Sequence, residues 1–160
     1  MNNKIVIFLS LIVLPCVLMA VDVVILNEKY GEKIIQQCTR EVPKSIDGTW
    51  IVGKNHIIEI KNKLIDVLKL KPKSCCNRKL QKLDDYNFQI VGLIIKGEKK
   101  IYLNAVHNII WNIKDSTKPI IACDGGSMHW GVLYDLKKMH ILAHLDHPFW
   151  FKLITVSGKR

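Results

Sequence analysis

The chain has 160 residues, a net charge of +10 and a hydrophobic fraction of 49%. That is one domain's length with enough apolar residue for a real core, which excludes a disordered or low-complexity chain. The basic excess would attract anionic partners such as lipid head groups, anionic polysaccharide or an acidic protein, but the lysines are dispersed, and simple solvation of the surface is the preferred reading of the same charge. With no nucleic-acid-binding motif in the chain, nucleic acid is set aside.

In chain order, Met1-Asn2-Asn3-Lys4 precedes an uncharged run from Ile5 to Val21. A short basic head before an apolar run is the pattern of an export signal. Cleavage after Ala20 makes residues 1–20 a signal peptide and residues 21–160 a single domain. Lys4 leaves with the signal and no acid does, so the mature net charge is +9. The expected location is periplasmic or secreted. The alternatives are an inner-membrane anchor, if the segment is uncleaved, and a lipoprotein modified at Cys16. A membrane contact is then expected only through this segment.

Val21–Leu26 predicts a first strand, and Glu32–Arg40 a short helix with Ile34, Ile35 and Cys38 inward, ended by Pro43. Ser45–Gly48 predicts a turn. The clearest helix runs from about Asn55, as its cap, to Leu70. Ile57, Ile60, Leu64, Val67 and Leu68 recur at helical spacing, Ile58 and Ile65 widen the stripe, and Pro72 stops the run. A stripe this broad requires a sheet to lie against.

Ile90–Ile95 and Ile101–Val106 flank Lys96-Gly97-Glu98-Lys99, a hairpin with Gly97 first in the turn. Ile109–Ile113 is a further strand or an irregular segment carrying Trp111. Pro119–Cys123, Met128–Tyr134 and Met139–Leu145 predict three more strands, joined by Asp124-Gly125-Gly126-Ser127 and Asp135-Leu136-Lys137-Lys138. The fold class is α+β, with one long helix packed on an antiparallel meander sheet of about four to six strands.

Placing Leu136-Lys137 at the last turn opposes Trp130 to Ala143, Val132 to Ile141 and Tyr134 to Met139 on the core face. The other face then carries His129 opposite His144, with Asp146 and His147 just beyond. Two imidazoles on facing strands can share a divalent ion, so His129 and His144 are the candidate metal ligands. No third ligand follows from spacing, and ordinary surface histidines explain the same pattern.

Signal cleavage leaves four of the five cysteines, Cys38, Cys75, Cys76 and Cys123. In an oxidising compartment these predict one or two disulfides. A bridge between adjacent Cys75 and Cys76 is strained, so Cys38 and Cys123 are each expected to take one of that pair. Cys75-Cys76 also lacks the spacer of a zinc site. Cys123, at a strand end before Asp124-Gly125-Gly126, is the candidate nucleophile, with the following N–H groups as an oxyanion hole. A disulfide and hairpin geometry account for the same residues. No hydrolase elbow, zinc-protease helix, phosphate loop or dinucleotide fingerprint occurs, and nothing calls for a cofactor. Trp50, Trp111, Trp130 and Trp150 suit core and rim. Phe149, Trp150 and Phe151, near the basic C-terminus, form a candidate binding patch.

Two segments carry a resemblance: Gln89–Ile95 with Lys100–Ala105, and Cys123-Asp124-Gly125-Gly126 followed by Trp130-Gly131-Val132-Leu133-Tyr134-Asp135. Together they resemble a group of small, signal-bearing, uncharacterised bacterial proteins that end in a C-D-G-G, W-G-V, Y-D pattern. Leu133 stands where the group has Glu, and His129 where it has an aromatic. A role tied to that acid therefore does not carry over. The resemblance implies an exported bacterial domain and supplies no activity. The expected function is a non-enzymatic binding or inhibitor-type module of the cell envelope. The alternative is a small envelope enzyme using Cys123 or a metal at His129 and His144.

Overall fold

The computed structural model describes residues 21–38, 42–69, 82–110, 116–123, 125–138 and 140–145. The export segment, Cys75, Cys76, Trp111, Asp146, His147 and the Phe149–Phe151 patch lie outside the described residues.

The described residues form an α+β fold around a mixed six-stranded sheet in the order β1-β3-β4-β5-β6, with β2 also on β3. β1 is Val23–Ile25 and β2 Gly48–Trp50; β3 is Tyr86–Ile95, β4 Glu98–His107, β5 His129–Asp135 and β6 His140–Leu145. From β3 to β6 the strands form the expected antiparallel meander. The departure from an all-antiparallel sheet is β1, which runs parallel to β3 and pairs Val23 with Phe88. Further along the same edge of β3, β2 pairs antiparallel, Trp50 opposite Gly92. This strand is unexpected; it begins at Gly48, the last residue of the predicted turn Ser45–Gly48. Gly92 permits it, because a Cβ there would run into the Trp50 carbonyl and indole. The Trp50 Nε1–H donates to the Leu93 and Lys100 carbonyls, at 3.1 and 3.0 Å, and pins the short strand.

The β3–β4 turn differs from expectation by one residue. Lys96 (φ 52°) and Gly97 (φ 71°) are its two central residues, as a primed turn requires, and Ile95 faces Glu98. Asp47 accepts a 2.8 Å hydrogen bond from the Gly97 N–H, tying this turn to β2.

Both faces of the sheet are covered. The long helix is shorter than predicted: α2 spans Lys54–Lys63 and tightens into a 3-10 segment, Leu64–Lys69. Gly53, not Asn55, caps it, and the His56 Nδ1 accepts from the Gly53 N–H at 3.1 Å. Ile60, Leu64 and Val67 pack with Phe88, Leu103 and Trp130 in the larger core. Ile58 and Ile65, expected to widen that buried stripe, are instead 60% and 43% exposed.

The opposite face is covered by the N-terminal part of the chain. Asn27 caps a 3-10 turn, Glu28–Tyr30, that leads into α1, Gly31–Ile34. Of the residues expected to point inward there, Ile34 is fully buried, Ile35 partly so, and Cys38 is exposed. α1 ends well before Pro43, and Ile34 packs with Leu26, Val91, Leu93 and Tyr102 in a second core. Strands buried on both faces explain why β3 reads as a nearly continuous apolar run.

Candidate functional site

On that second face, three buried amides gather across the strands. Gln89 of β3 lies directly opposite Asn104 of β4, and the Asn104 Nδ2 donates to the Gln89 Oε1 at 3.1 Å. Gln37 joins them from just beyond α1. Between them they bind backbone groups of Lys118, Ile120 and Ala122. Gln89 Oε1 accepts from the Ile120 N–H at 2.8 Å, and its Nε2 donates to the Lys118 carbonyl at 2.8 Å. Asn104 and Gln37 both donate to the Ile120 carbonyl, and Gln37 accepts from the Ala122 N–H. The expected strand Pro119–Cys123 is therefore not a strand. Its peptide groups pair with side-chain amides where a ladder would offer backbone, which satisfies the segment and the amides together.

Cys38 follows Gln37 and Cys123 follows Ala122, and the two form a disulfide with a Cα–Cα distance of 5.0 Å. The expected pairing, with each taking one of Cys75 and Cys76, is corrected. The amide clamp brings residues 37 and 122 together, and the bond joins their neighbours. Cys123 in this state has no thiol, so it cannot act as a nucleophile without prior reduction. A disulfide marks an oxidising, extracytoplasmic setting. Among the described residues, no helix is long and apolar enough to cross a membrane.

The histidine pair is not assembled. A register shift between Leu133 and Tyr134 sets His144 opposite Val132, Ala143 opposite Leu133 and Ile141 opposite Tyr134. His129 instead lies opposite Val106 of β4, and is buried. The expected facing of Trp130 with Ala143 and of Val132 with Ile141 fails for the same reason. Trp130, Val132 and Tyr134 nevertheless occupy the larger core, as their alternation predicts. No group of three metal-ligating side chains occurs among the described residues.

A buried ion pair closes the end of the sheet. The Lys100 Nζ donates to Asp135 and Glu98, each at 2.6 Å, with Asp135 almost fully buried and Glu98 partly exposed. Burial alone would raise the Asp135 pKa. The Lys100 hydrogen bond and the Lys137 and Lys138 N–H groups outweigh it and hold the carboxyl below its usual range. Burial likewise opposes the charge on Lys100, but its bonds to Asp135 and Glu98 raise its pKa above the ordinary lysine value. The Lys100 hydrogen bond and charge lower Glu98 in turn. The Tyr134 hydroxyl donates to Glu59 of α2 at 2.5 Å; burial first, and then that carboxylate, push its pKa up. This contact fixes α2 over β5. The sequence signal for the ion pair was Asp135 beside a turn, and the clamp's signal was Gln and Asn inside otherwise apolar strands.

The outer side of α2 carries a different chemistry. Ile51, in the loop before it, is 75% exposed, and Ile58 and Ile65 follow at seven-residue steps, with Lys54, Lys61 and Lys69 among them. Both acids of this stretch are engaged, Glu59 with Tyr134 and Asp66 with Lys69. At its start the Lys99 ammonium lies 5.2 Å from the centre of the Trp50 ring, which His56 meets edge-on. No protein-family model, curated protein or solved structure matches this chain.

Proposed function

We propose that the chain is an exported, non-enzymatic binding module of the bacterial cell envelope, of the inhibitor or adaptor type, whose partner is anionic. Its kinship with the uncharacterised C-D-G-G, W-G-V, Y-D group, and a periplasmic or secreted location after removal of residues 1–20, belong to the same proposal. The observation that carries it is the division of labour among side chains. Cys123 is spent in a disulfide, Gln37, Gln89 and Asn104 hold a backbone segment, and Lys100 and Asp135 neutralise each other. The outer side of α2 offers solvent lysine and isoleucine. Reactive groups used to hold a fold suit a binding role better than a catalytic one.

The test is binding to a soluble polyanion, such as heparin or polyglutamate, at physiological salt. Lys54→Glu with Lys61→Glu on α2 is compared with Lys29→Glu with Lys33→Glu across the sheet. A module with a binding face loses affinity in the first variant only, by about tenfold, since two charge contacts are reversed. Equal loss in both variants means that net charge alone is responsible, and the proposal fails.

A further inference from the structure

Resting on that proposal, we infer that the outer side of α2 is a membrane-docking face that lies on anionic lipid head groups. Ile51, Ile58 and Ile65 expose 75%, 60% and 43% of their surfaces, although isoleucine is among the residues most often buried. Ile58 and Ile65 lie seven residues apart on one side of a 16-residue helical stretch, Lys54–Lys69, and Ile51 stands in the loop that leads directly into it. That stretch holds the four lysines Lys54, Lys61, Lys63 and Lys69 against Glu59 and Asp66. Glu59 turns to the Tyr134 hydroxyl and Asp66 bonds Lys69, which leaves Lys54 and Lys61, four residues before and three after Ile58, to set the sign of the surface. Lys99 over Trp50 extends the basic surface at the N-terminal end of the helix.

Charge complementarity selects the occupant. A protein partner is normally anchored by an aromatic or arginine that fills a pocket. The exposed residues described here are aliphatic and interspersed with lysines, with no arginine among them, the composition of a helix lying in a lipid interface. Isoleucines reach below the head groups while neighbouring lysines, with long apolar stems, stay among the phosphates. The contact needs no transmembrane segment, and it differs from the membrane contact expected of residues 1–20. It would hold the domain against the envelope membrane after the signal is gone.

The experiment is flotation of the purified, oxidised protein with vesicles of phosphatidylglycerol in phosphatidylcholine, and with phosphatidylcholine alone. Ile58→Ser with Ile65→Ser is the test variant. Ile109→Ser is the control, since Ile109 is 80% exposed just beyond β4, at the opposite end of that strand from Lys99. Binding only to the anionic vesicles, weakened by salt and cut about tenfold in the double variant but not in the control, is the expected result. Unchanged binding in the double variant overturns the docking face, and the anionic-partner proposal survives. Binding to heparin or polyglutamate without vesicle binding overturns the lipid as partner. Loss of both overturns this inference and the proposal beneath it. Both substitutions are at solvent positions, and an unchanged thermal transition verifies that the variants are folded.

Discussion

Replacing Gln89 by leucine tests the amide clamp at its centre. Gln89 is fully buried and makes four side-chain hydrogen bonds, to Asn104, Ile120, Lys118 and Ser116. Leucine has a similar volume, so the packing loss is small and the cost is polar. The Lys118 carbonyl keeps the Ser116 hydroxyl at 2.9 Å, and Asn104 keeps the Ile120 carbonyl at 3.0 Å. The Ile120 N–H loses its acceptor inside the protein, which costs about 1–3 kcal/mol, and the lost Asn104 bond adds about 1 kcal/mol. Gln89→Leu should therefore destabilise by about 2–4 kcal/mol in urea unfolding of the oxidised protein. The Ile120 amide should exchange with solvent faster by more than the global change explains. Gln37→Leu, at the edge of the clamp, should cost less. The Gln89→Leu and Asn104→Leu effects should fall short of additive by about 1 kcal/mol, because each removes their shared bond. A Gln89→Leu loss below about 0.5 kcal/mol, with unchanged exchange at Ile120, would refute the clamp.

Three further outcomes follow from the same geometry. The Asp135 pKa is lowered on folding, so its stabilisation is present above the unfolded-state value near 4 and is lost as pH falls through the folded one. The Lys100 pKa is raised, so its share is present below about 10.5 and lost as pH rises through its folded value. The pair's contribution to the unfolding free energy should be flat between these limits. Asp135→Asn should cost about 3 kcal/mol at neutral pH and flatten the acid limb, a slope that a pH series of urea melts measures. Gly92→Ala should destabilise by about 1–3 kcal/mol, because the new methyl meets the Trp50 carbonyl and indole, and should change Trp50 fluorescence as β2 is displaced. An unchanged emission spectrum would count against the close β2–β3 packing. Cys38→Ser with Cys123→Ser should cost about 4–5 kcal/mol by chain entropy, since the bond spans 85 residues, read as a lower urea midpoint with a steeper slope, because the unlinked denatured chain exposes more surface.

The legible parts of the fold were those governed by short-range pattern. Two apolar segments flanking the Lys96–Lys99 turn located the β3–β4 hairpin, and helical spacing placed Ile60, Leu64 and Val67 in the core. Period-two spacing likewise placed Trp130, Val132 and Tyr134. Features governed by contacts distant in sequence were not legible. The β5–β6 register was missed because the irregularity at Leu133/Tyr134 and the longer turn, capped by Asp135, leave no mark in alternation. That miss also produced the expected His129–His144 pair. β2 is three residues long and exists because Gly92 admits Trp50. The Cys38–Cys123 bond depends on a clamp whose members lie just beyond α1, in two strands and in a loop. Gln89 and Asn104 stand among apolar strand residues, and their burial depends on the second covering layer, which comes from the distant N-terminal part of the chain. The exposed Ile58 and Ile65 were absorbed into the buried stripe because periodicity does not measure how broad a face its partner covers.

The most direct measurement is peptide mapping of the protein purified from its native host, with thiols alkylated before any reduction. The account predicts one species linking the Cys38 and Cys123 peptides, with neither alkylated until a reductant is added. A freely alkylated Cys123, or its linkage to Cys75 or Cys76, would contradict the clamp and return Cys123 to the list of candidate nucleophiles.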